Sequence, residues 1–383
     1  MKHNIWLALF GFSASFWGGL FPASVAAQSY SITDLGTLHY HQPGYAREPF
    51  ASKANAVNDL GQVVGESNGH AFLWSRGKMT FLGTLGGANS EAMAINATGQ
   101  IVGNSDTGRY YESGDPTNPQ IEYHHAFLWS AGKMMDFGNV GDYHGLSSIQ
   151  IEATSINAKG QVVIYVKASV GQPSSFLYSE GRVKDFGKYN GTGSSGFNFV
   201  ATAINNRGQM AGAGGAFSLD SGRYDRHALK YSNGNVQDIW IMTGVSANRA
   251  NAINNLGDVA GDCYIVANPG SRSHPFLYSH GRLRDLGFLP GSENGVAASI
   301  NDKDQVVGTM EAPGEMETGR IDNRAFLYKN GRLIDLTTLL PRGSKWSRLF
   351  EATGINNRSQ VVGSGMIRTS TGTESHAFLL TPK

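Results

Sequence analysis

Three stretches in the first half of the chain gather the side chains able to do chemistry. Residues 37–53 carry His39, Tyr40, His41, Tyr45 and Arg47. Residues 104–124 carry Arg109, Tyr110, Tyr111, Glu112, Asp115, Tyr123 and His124, and residues 141–145 add Asp142, Tyr143 and His144. Tyrosine rings offer flat apolar faces to sugars, while arginine and histidine can hold carboxylates. Cleavage of a uronate polysaccharide by β-elimination needs a cation against the carboxylate and a base for the C5 proton. Arg109 or Arg47 could supply the first, and His41, His124, His144, Tyr111 or Tyr143 the second. Glycoside hydrolysis needs instead two carboxylates about 5 to 9.5 Å apart, for which Glu112 and Asp115 are available. Binding without reaction would draw on Tyr40, Tyr45, Arg47, Arg109, Tyr110, Tyr111, Tyr123 and Tyr143.

These stretches are gaps in a repeated pattern, and the pattern is what must position them. Seven times the chain reads A-x-A-[IV]-N-x-x-G-Q-[VI]-[VA]-G, a variable gap, and then H-A-F-L-[WY]-x-x-G-x-[ML]-x-D-[LF]-G, with substitutions. The asparagines are Asn58, Asn96, Asn157, Asn205, Asn254, Asn301 and Asn356, spaced by 38, 61, 48, 49, 47 and 55 residues. A period near 50 marks an array of supersecondary units.

Each unit reads as two tight hairpins. In the first, residues 54–58 and 62–65 form strands around an Asn-x-x-Gly turn, where asparagine bonds the backbone ahead and glycine takes positive φ. Residues 70–74 and 78–82 form the second pair. The third strand, Ala71, Phe72, Leu73 and Trp74, is almost wholly apolar, so both its faces must be covered. Sheets stacked around an axis satisfy that. The expected fold is all-β: a seven-bladed β-propeller with four antiparallel strands per blade. Residues 30–36 copy the fourth strand that the last repeat lacks, so the N-terminal strand should close the last blade. The connections within each hairpin are short and constant, whereas those between hairpins vary from four residues (66–69) to 21 (104–124). One face should therefore be plain and the other elaborated, and the three chemistry-bearing stretches should be neighbours on the elaborated face.

The repeated histidines sit on separate blades and diverge, so no shared metal site is expected, and no cofactor fingerprint appears. Residues 254–258 and 301–304 lack the spaced ligands of a calcium loop. Residues 1–27 read as a cleaved signal peptide, with Lys2, an apolar run over 5–21 and Val25-Ala26-Ala27 before the cut. Residues 28–383 form a single domain with no further transmembrane segment, secreted or periplasmic and expected to be a monomer. Cys263 is the single cysteine, so no internal disulfide forms, and it reads as a small apolar residue rather than a nucleophile. The mature chain carries 30 basic and 30 acidic residues without a basic block, which argues against a nucleic-acid partner.

The His-Ala-Phe triplet, intact at His70, His125 and His376, resembles that of the extracellular HAF-repeat family. It is altered at His227-Ala228-Leu229 and His274-Pro275-Phe276, and Ser174-Ser175-Phe176 and Arg324-Ala325-Phe326 lack the histidine. A residue missing from two units is not a shared catalytic group. The resemblance implies export and a propeller-like repeat fold rather than a reaction. The reading favoured by the sequence is a secreted, non-catalytic propeller that binds a glycan, cell-surface component or protein through its long-loop face. The alternative is a polysaccharide lyase acting on uronates, with the residues assigned above.

Overall fold

A computed structural model describes residues 29–38, 51–112, 120–138, 148–168, 174–186, 199–218, 223–239, 245–267, 270–315, 320–370 and 372–383. The fold is all-β, and strands from each repeat pair in antiparallel groups of four. The first unit comprises Ser52–Val57, Val63–Ser67, His70–Ser75 and Lys78–Phe81. The second and third units join into one eight-stranded sheet through a single parallel pairing, Gln150 with His124, and the fourth and fifth join through Arg226 with Ala247. In the last unit the N-terminal strand Tyr30–Asp34 supplies the fourth strand, pairing with Thr373–Pro382 from Tyr30 opposite Pro382 to Asp34 opposite Phe378.

Asn-x-x-Gly-Gln does more than turn the chain. Asn58 Oδ1 accepts from the N–H groups of Leu60 and Gln62, while Gly61 takes a φ of 76°. Asn58 Nδ2 donates to Gln62 Oε1 at 2.8 Å and also reaches the Asn96 carbonyl of the next unit at 3.1 Å. The same inter-unit bond runs from Asn96 to Asn157, Asn157 to Asn205, Asn205 to Asn254, Asn254 to Asn301 and Asn301 to Asn356. Asn356 Nδ2 then donates to the Asn58 carbonyl at 2.9 Å, which returns the series to its start. All seven asparagines are buried around a central depression of about 210 Å³.

Every first strand carries a register shift between the two alanine-type positions of A-x-A, as between Ala54 and Ala56. The extra residue of this bulge is turned toward the neighbouring unit. Asn55 thus donates to the Ala92 carbonyl, Thr202 to Ala250, Asn251 to Ala297 and Thr353 to Ala54. The glycine of the second strand allows close approach: a Cβ on Gly103 would stand 2.0 Å from the Glu91 carbonyl oxygen.

The apolar core is divided by the same geometry. Each buried cluster is shared by two consecutive units, such as Val64 and Ala71 with Ile101 and Phe127, or Val307 and Leu327 with Leu349 and Phe378. One cluster joins the last unit to the first, through Val362, Ala377 and Leu379 against Ala54 and Phe72. A single unit cannot cover its own apolar faces, so stability comes from the contacts between units.

Residues 104–124, expected to form a loop, are largely strand. Ile101–Glu112 and Gln120–Ser130 pair out to Glu112 opposite Gln120, with a register shift between Asp106 and Tyr110. The stretch is rich in β-branched and aromatic residues, Thr107, Tyr110, Tyr111, Ile121 and Tyr123, which suit a pleated ribbon better than an open loop. Among the described residues no helix is long and apolar enough to cross a membrane.

Candidate functional site

In four of the units the repeated histidine meets the aspartate of the strand paired with its own. His125 Nδ1 lies 3.0 Å from Asp136 Oδ1, His227 Nδ1 2.5 Å from Asp238, His274 Nδ1 2.9 Å from Asp285 and His376 Nδ1 2.8 Å from Asp34. Asp34, Asp136 and Asp285 also accept from the glycine two residues on, at 2.7 Å for Asp136 and Gly138, so their turns and their histidines are fixed together. In the first unit Phe81 occupies the aspartate position, and the His70 ring packs on it with centroids 5.1 Å apart. Burial works against ionisation of Asp136 and Asp34, but the His125 and His376 rings and the glycine N–H groups outweigh it and hold both below the usual carboxylate range. Burial likewise opposes protonation of His376, yet Asp34 and Glu374 hold it above the ordinary histidine value. These histidines are structural clasps between the third and fourth strands.

A different histidine serves the candidate site. Where the strands of the second unit extend, buried Asp106 holds His124 Nδ1 at 2.7 Å through Oδ1. Its Oδ2 accepts from the backbone N–H of Asn89 at 3.1 Å and from Asn89 Nδ2 at 2.8 Å. With Nδ1 turned to a carboxylate, the imidazole presents Nε2 as its outward nitrogen. The two residues line a cavity of about 330 Å³ between the first and second units, together with Glu66, Asn89, Glu91 and Asn104. Glu91 Oε1 is steadied by Asn55 Nδ2 at 2.8 Å, and Glu66 Oε1 by the Gly69 N–H at 2.8 Å. The cavity wall is therefore made of oriented carboxylates, amides and one imidazole.

Among the described residues singled out from the sequence, His124 alone lines this cavity. Arg109 and Tyr110 are exposed on the extended hairpin, where Tyr110 reaches Glu122 Oε2 at 3.4 Å and Arg109 acts electrostatically on Asp136. The Tyr123 ring meets the His125 ring edge-on at 6.2 Å, and the Tyr123 carbonyl accepts from Thr107 Oγ1. Tyr111 lies in the strand of Arg109 and Tyr110, with its side chain outside the described residues. Tyr40, His41, Tyr45, Arg47, Tyr143 and His144 also lie outside the described residues. Sequence reasoning missed Asp106, Glu66 and Glu91. Glu66 and Glu91 lie in the short strands Val63–Ser67 and Ser90–Ile95, Asp106 midway along Ile101–Glu112, and nothing local marks that neighbouring repeats bring the three together.

Two other sequence features resolve as structure. Gly65-Glu66-Ser67-Asn68-Gly69 has the Gly-x-Ser-x-Gly spacing of a nucleophile turn. Ser67 is nonetheless fully buried, its Oγ donating to the Ala51 carbonyl and accepting from the Leu38 N–H. The Cys263 thiol is buried, and its pKa is pushed up to about 12, first by burial and then by Asp285 and Asp262. It is not a nucleophile near neutral pH. No group of three or more histidine, cysteine, aspartate or glutamate side chains is placed to hold a metal among the described residues.

Comparisons bear on the fold. A family described as a protein of unknown function (DUF3466) matches residues 197–377. No match was found among curated proteins. The β-propeller domain of the trilobed protease from Pyrococcus furiosus is 9% identical with a TM-score of 0.52, the alignment covering 88% of this chain and 98% of that one. A protein of unknown function from Dyadobacter fermentans is 9% identical with a TM-score of 0.42, covering 92% and 99%. An acylaminoacyl peptidase from Pyrococcus horikoshii is 12% identical with a TM-score of 0.45, covering 76% and 45%. The first of these likenesses and the four-stranded antiparallel units together define a β-propeller fold.

Proposed function

We propose that this chain is a secreted, non-catalytic seven-bladed β-propeller of the HAF-repeat kind. In this reading it binds a glycan of the cell surface or its surroundings through the face that carries the long connections. The blade number is supported by the asparagine bonds that return to their start and by an apolar cluster joining the last unit to the first. Export is supported by the signal-like pattern of residues 1–27, which lie outside the described residues.

The observation that carries the binding reading is the cavity between the first and second units. Its carboxylates and amides are fixed by backbone and side-chain bonds before any ligand arrives, so little ordering remains to oppose binding. Such a wall suits a neutral, hydroxyl-rich sugar. A polyuronate would meet Glu66, Glu91 and Asp106, and Arg109 does not line the cavity to offset them. One observation favours the alternative, β-elimination: the Asp106–His124 pair has the form of an oriented base.

A glycan array with the mature protein and its His124→Ala and Glu91→Gln variants tests the binding reading. Selective signal on neutral glycans, lost in both variants, is expected; signal unchanged by both would sink this site. Incubation with uronate polysaccharides, followed by the absorbance of unsaturated product ends, decides the alternative, and no absorbance is expected.

A further inference from the structure

The seam between the fifth and sixth units departs from its six counterparts at two positions at once. At the other seams the glutamine of Asn-x-x-Gly-Gln faces a small residue of the next turn. Gln62 lies near Gly99, Gln100 near Gly160, Gln161 near Gly208, Gln209 near Gly257 and Gln360 near Gly61. At the seam between the sixth and seventh units Ser359 replaces the glycine, and its Oγ donates to Gln305 Oε1 at 2.7 Å. At the fifth seam both partners change: Asp258 stands in place of glutamine and Asp304 in place of glycine. Asp304 holds a φ of 55°, a left-handed conformation that glycine supplies in the first five repeats and that is uncommon for other residues.

The two carboxyl groups converge on one donor. Asn254 Nδ2 lies 3.3 Å from Asp258 Oδ2 and 3.2 Å from Asp304 Oδ1. Asp258 is buried. Two carboxylates at one amide group in a buried seam repel each other, whereas a single proton between them turns the repulsion into a hydrogen bond. We propose that Asp258 and Asp304 share one proton, so that the seam between the fifth and sixth units tightens in acid and loosens as the pH rises.

The charged groups around the pair stand to its sides. Lys230, on the fourth unit, donates to the Gly257 carbonyl, and its charge acts on Asp258, with Arg207 beyond it. Ser279 Oγ lies 3.5 Å from Asp304 Oδ2 and 2.7 Å from His280 Nδ1. Arg284 feels Asp304 at longer range, and Lys303 precedes it in the chain. Burial, then the Asp258 charge and hydrogen bond, push the Asp304 carboxyl above its usual range, against the pull of His280 and Ser279. A carboxyl raised in the folded state contributes stability below its unfolded value, near 3.9, and loses it as pH rises through the folded value.

Thermal melting of the mature chain from pH 4 to pH 8 tests this, with Asp258→Asn, Asp304→Asn and the double variant. Asparagine keeps the side-chain shape and tolerates the left-handed backbone of position 304. Each single variant should melt about 2 °C above wild type at pH 8, with the gap closing toward pH 4 and the double variant gaining no more than either single. A gap that is absent, or that does not change with pH, overturns the proposal. So does a rise in wild-type melting on adding calcium or magnesium at pH 8 that Asp304→Asn lacks, since a cation rather than a proton would then join the pair. Aspartate side-chain carboxyl ¹³C shifts of the wild type give a second readout should the variants fail to fold. One carboxyl titrating well above the usual range is expected, and all titrating together near 3.9 overturns the inference.

Discussion

The two ends of the repeats obey different rules. At the turn end, seven asparagines repeat one bond to the carbonyl of the next unit's asparagine, and only Asp258, Asp304 and Ser359 depart from the shared turn pattern. At the opposite end the units diverge: the first ends its second strand at Ser67, while the second unit runs on to Glu112 and returns from Gln120. The contrast teaches where stability and recognition reside. Identical contacts between neighbours hold the units together, and a cavity arises where two neighbours differ in length.

The largest test of that contrast removes the closing strand. Deleting residues 29–36 takes away five residue pairings with Thr373–Pro382 and the burial of Tyr30 and Leu35. At about 1 kcal/mol per hydrogen bond plus the lost apolar burial, the cost is roughly 5 kcal/mol or more, comparable with the whole stability of a domain. Unfolding or aggregation is expected by circular dichroism and size-exclusion chromatography. Replacing residues 112–120 of the long hairpin with a two-residue turn should cost less than about 1 kcal/mol, because hairpin tips tolerate change. Comparable losses from the two deletions would break the distinction.

A second test stays inside the turn end. Asn157→Ala removes donation to Gln161 Oε1 and the Asn205 carbonyl and leaves the Lys159 and Gln161 N–H groups without their acceptor. The expected cost is about 3 kcal/mol by urea denaturation, since the lost partners are buried or half-buried. The equivalent change at Asn96 or Asn205 should agree within about 1 kcal/mol. A spread much wider than that would mean the seven bonds are equivalent in geometry but not in energy.

How much of this could be read from residues alone follows the range of each interaction. The turn role of Asn58 was legible because its Oδ1 partners, Leu60 and Gln62, are two and four residues away. Its bond to the Asn96 carbonyl was not, because a backbone acceptor 38 residues on leaves no mark in side-chain types. The closing strand was legible because residues 30–36 repeat a fourth-strand pattern. The clasp between His125 and Asp136 was only partly legible: histidines on separate blades argued against a shared metal site, but the aspartate partner eleven residues on went unnamed. The candidate site was least legible. His124 stood out, but Asp106, inside a stretch read as a loop, and Glu91, in a repeat strand, carried no local mark of the wall on which adjacent units place them.

The clasps offer a smaller effect with a defined pH dependence. His376 is held above its ordinary value by Asp34 and Glu374 despite burial, so its contribution is complete below about pH 6.5 and is lost as pH rises through its raised folded value. His376→Gln should therefore lose stability at pH 5.5 and lose less at pH 9. Asp34 is more than a third exposed, so solvent screening keeps the difference below about 1 kcal/mol. Urea titrations at the two pH values check it, and an equal loss at both would assign the clasp to packing rather than charge.

The smallest effect on stability should accompany the clearest effect on binding. His124 is 41% exposed on its side chain, and its Nδ1 bond to Asp106 is one of several that Asp106 makes. Truncation to alanine leaves Asp106 bonded to Asn89 and opens no buried void, so the expected stability change is within about 0.5 kcal/mol. If the cavity wall is the recognition surface, the same variant should weaken a glycan found on the array by about tenfold, the scale of one charge-assisted hydrogen bond. Asp106→Asn, which keeps the shape but not the charge that orients the imidazole, should fall between wild type and His124→Ala. A variant series that instead lowers stability and leaves affinity untouched would place this corner with the asparagine turns, as another joint between units.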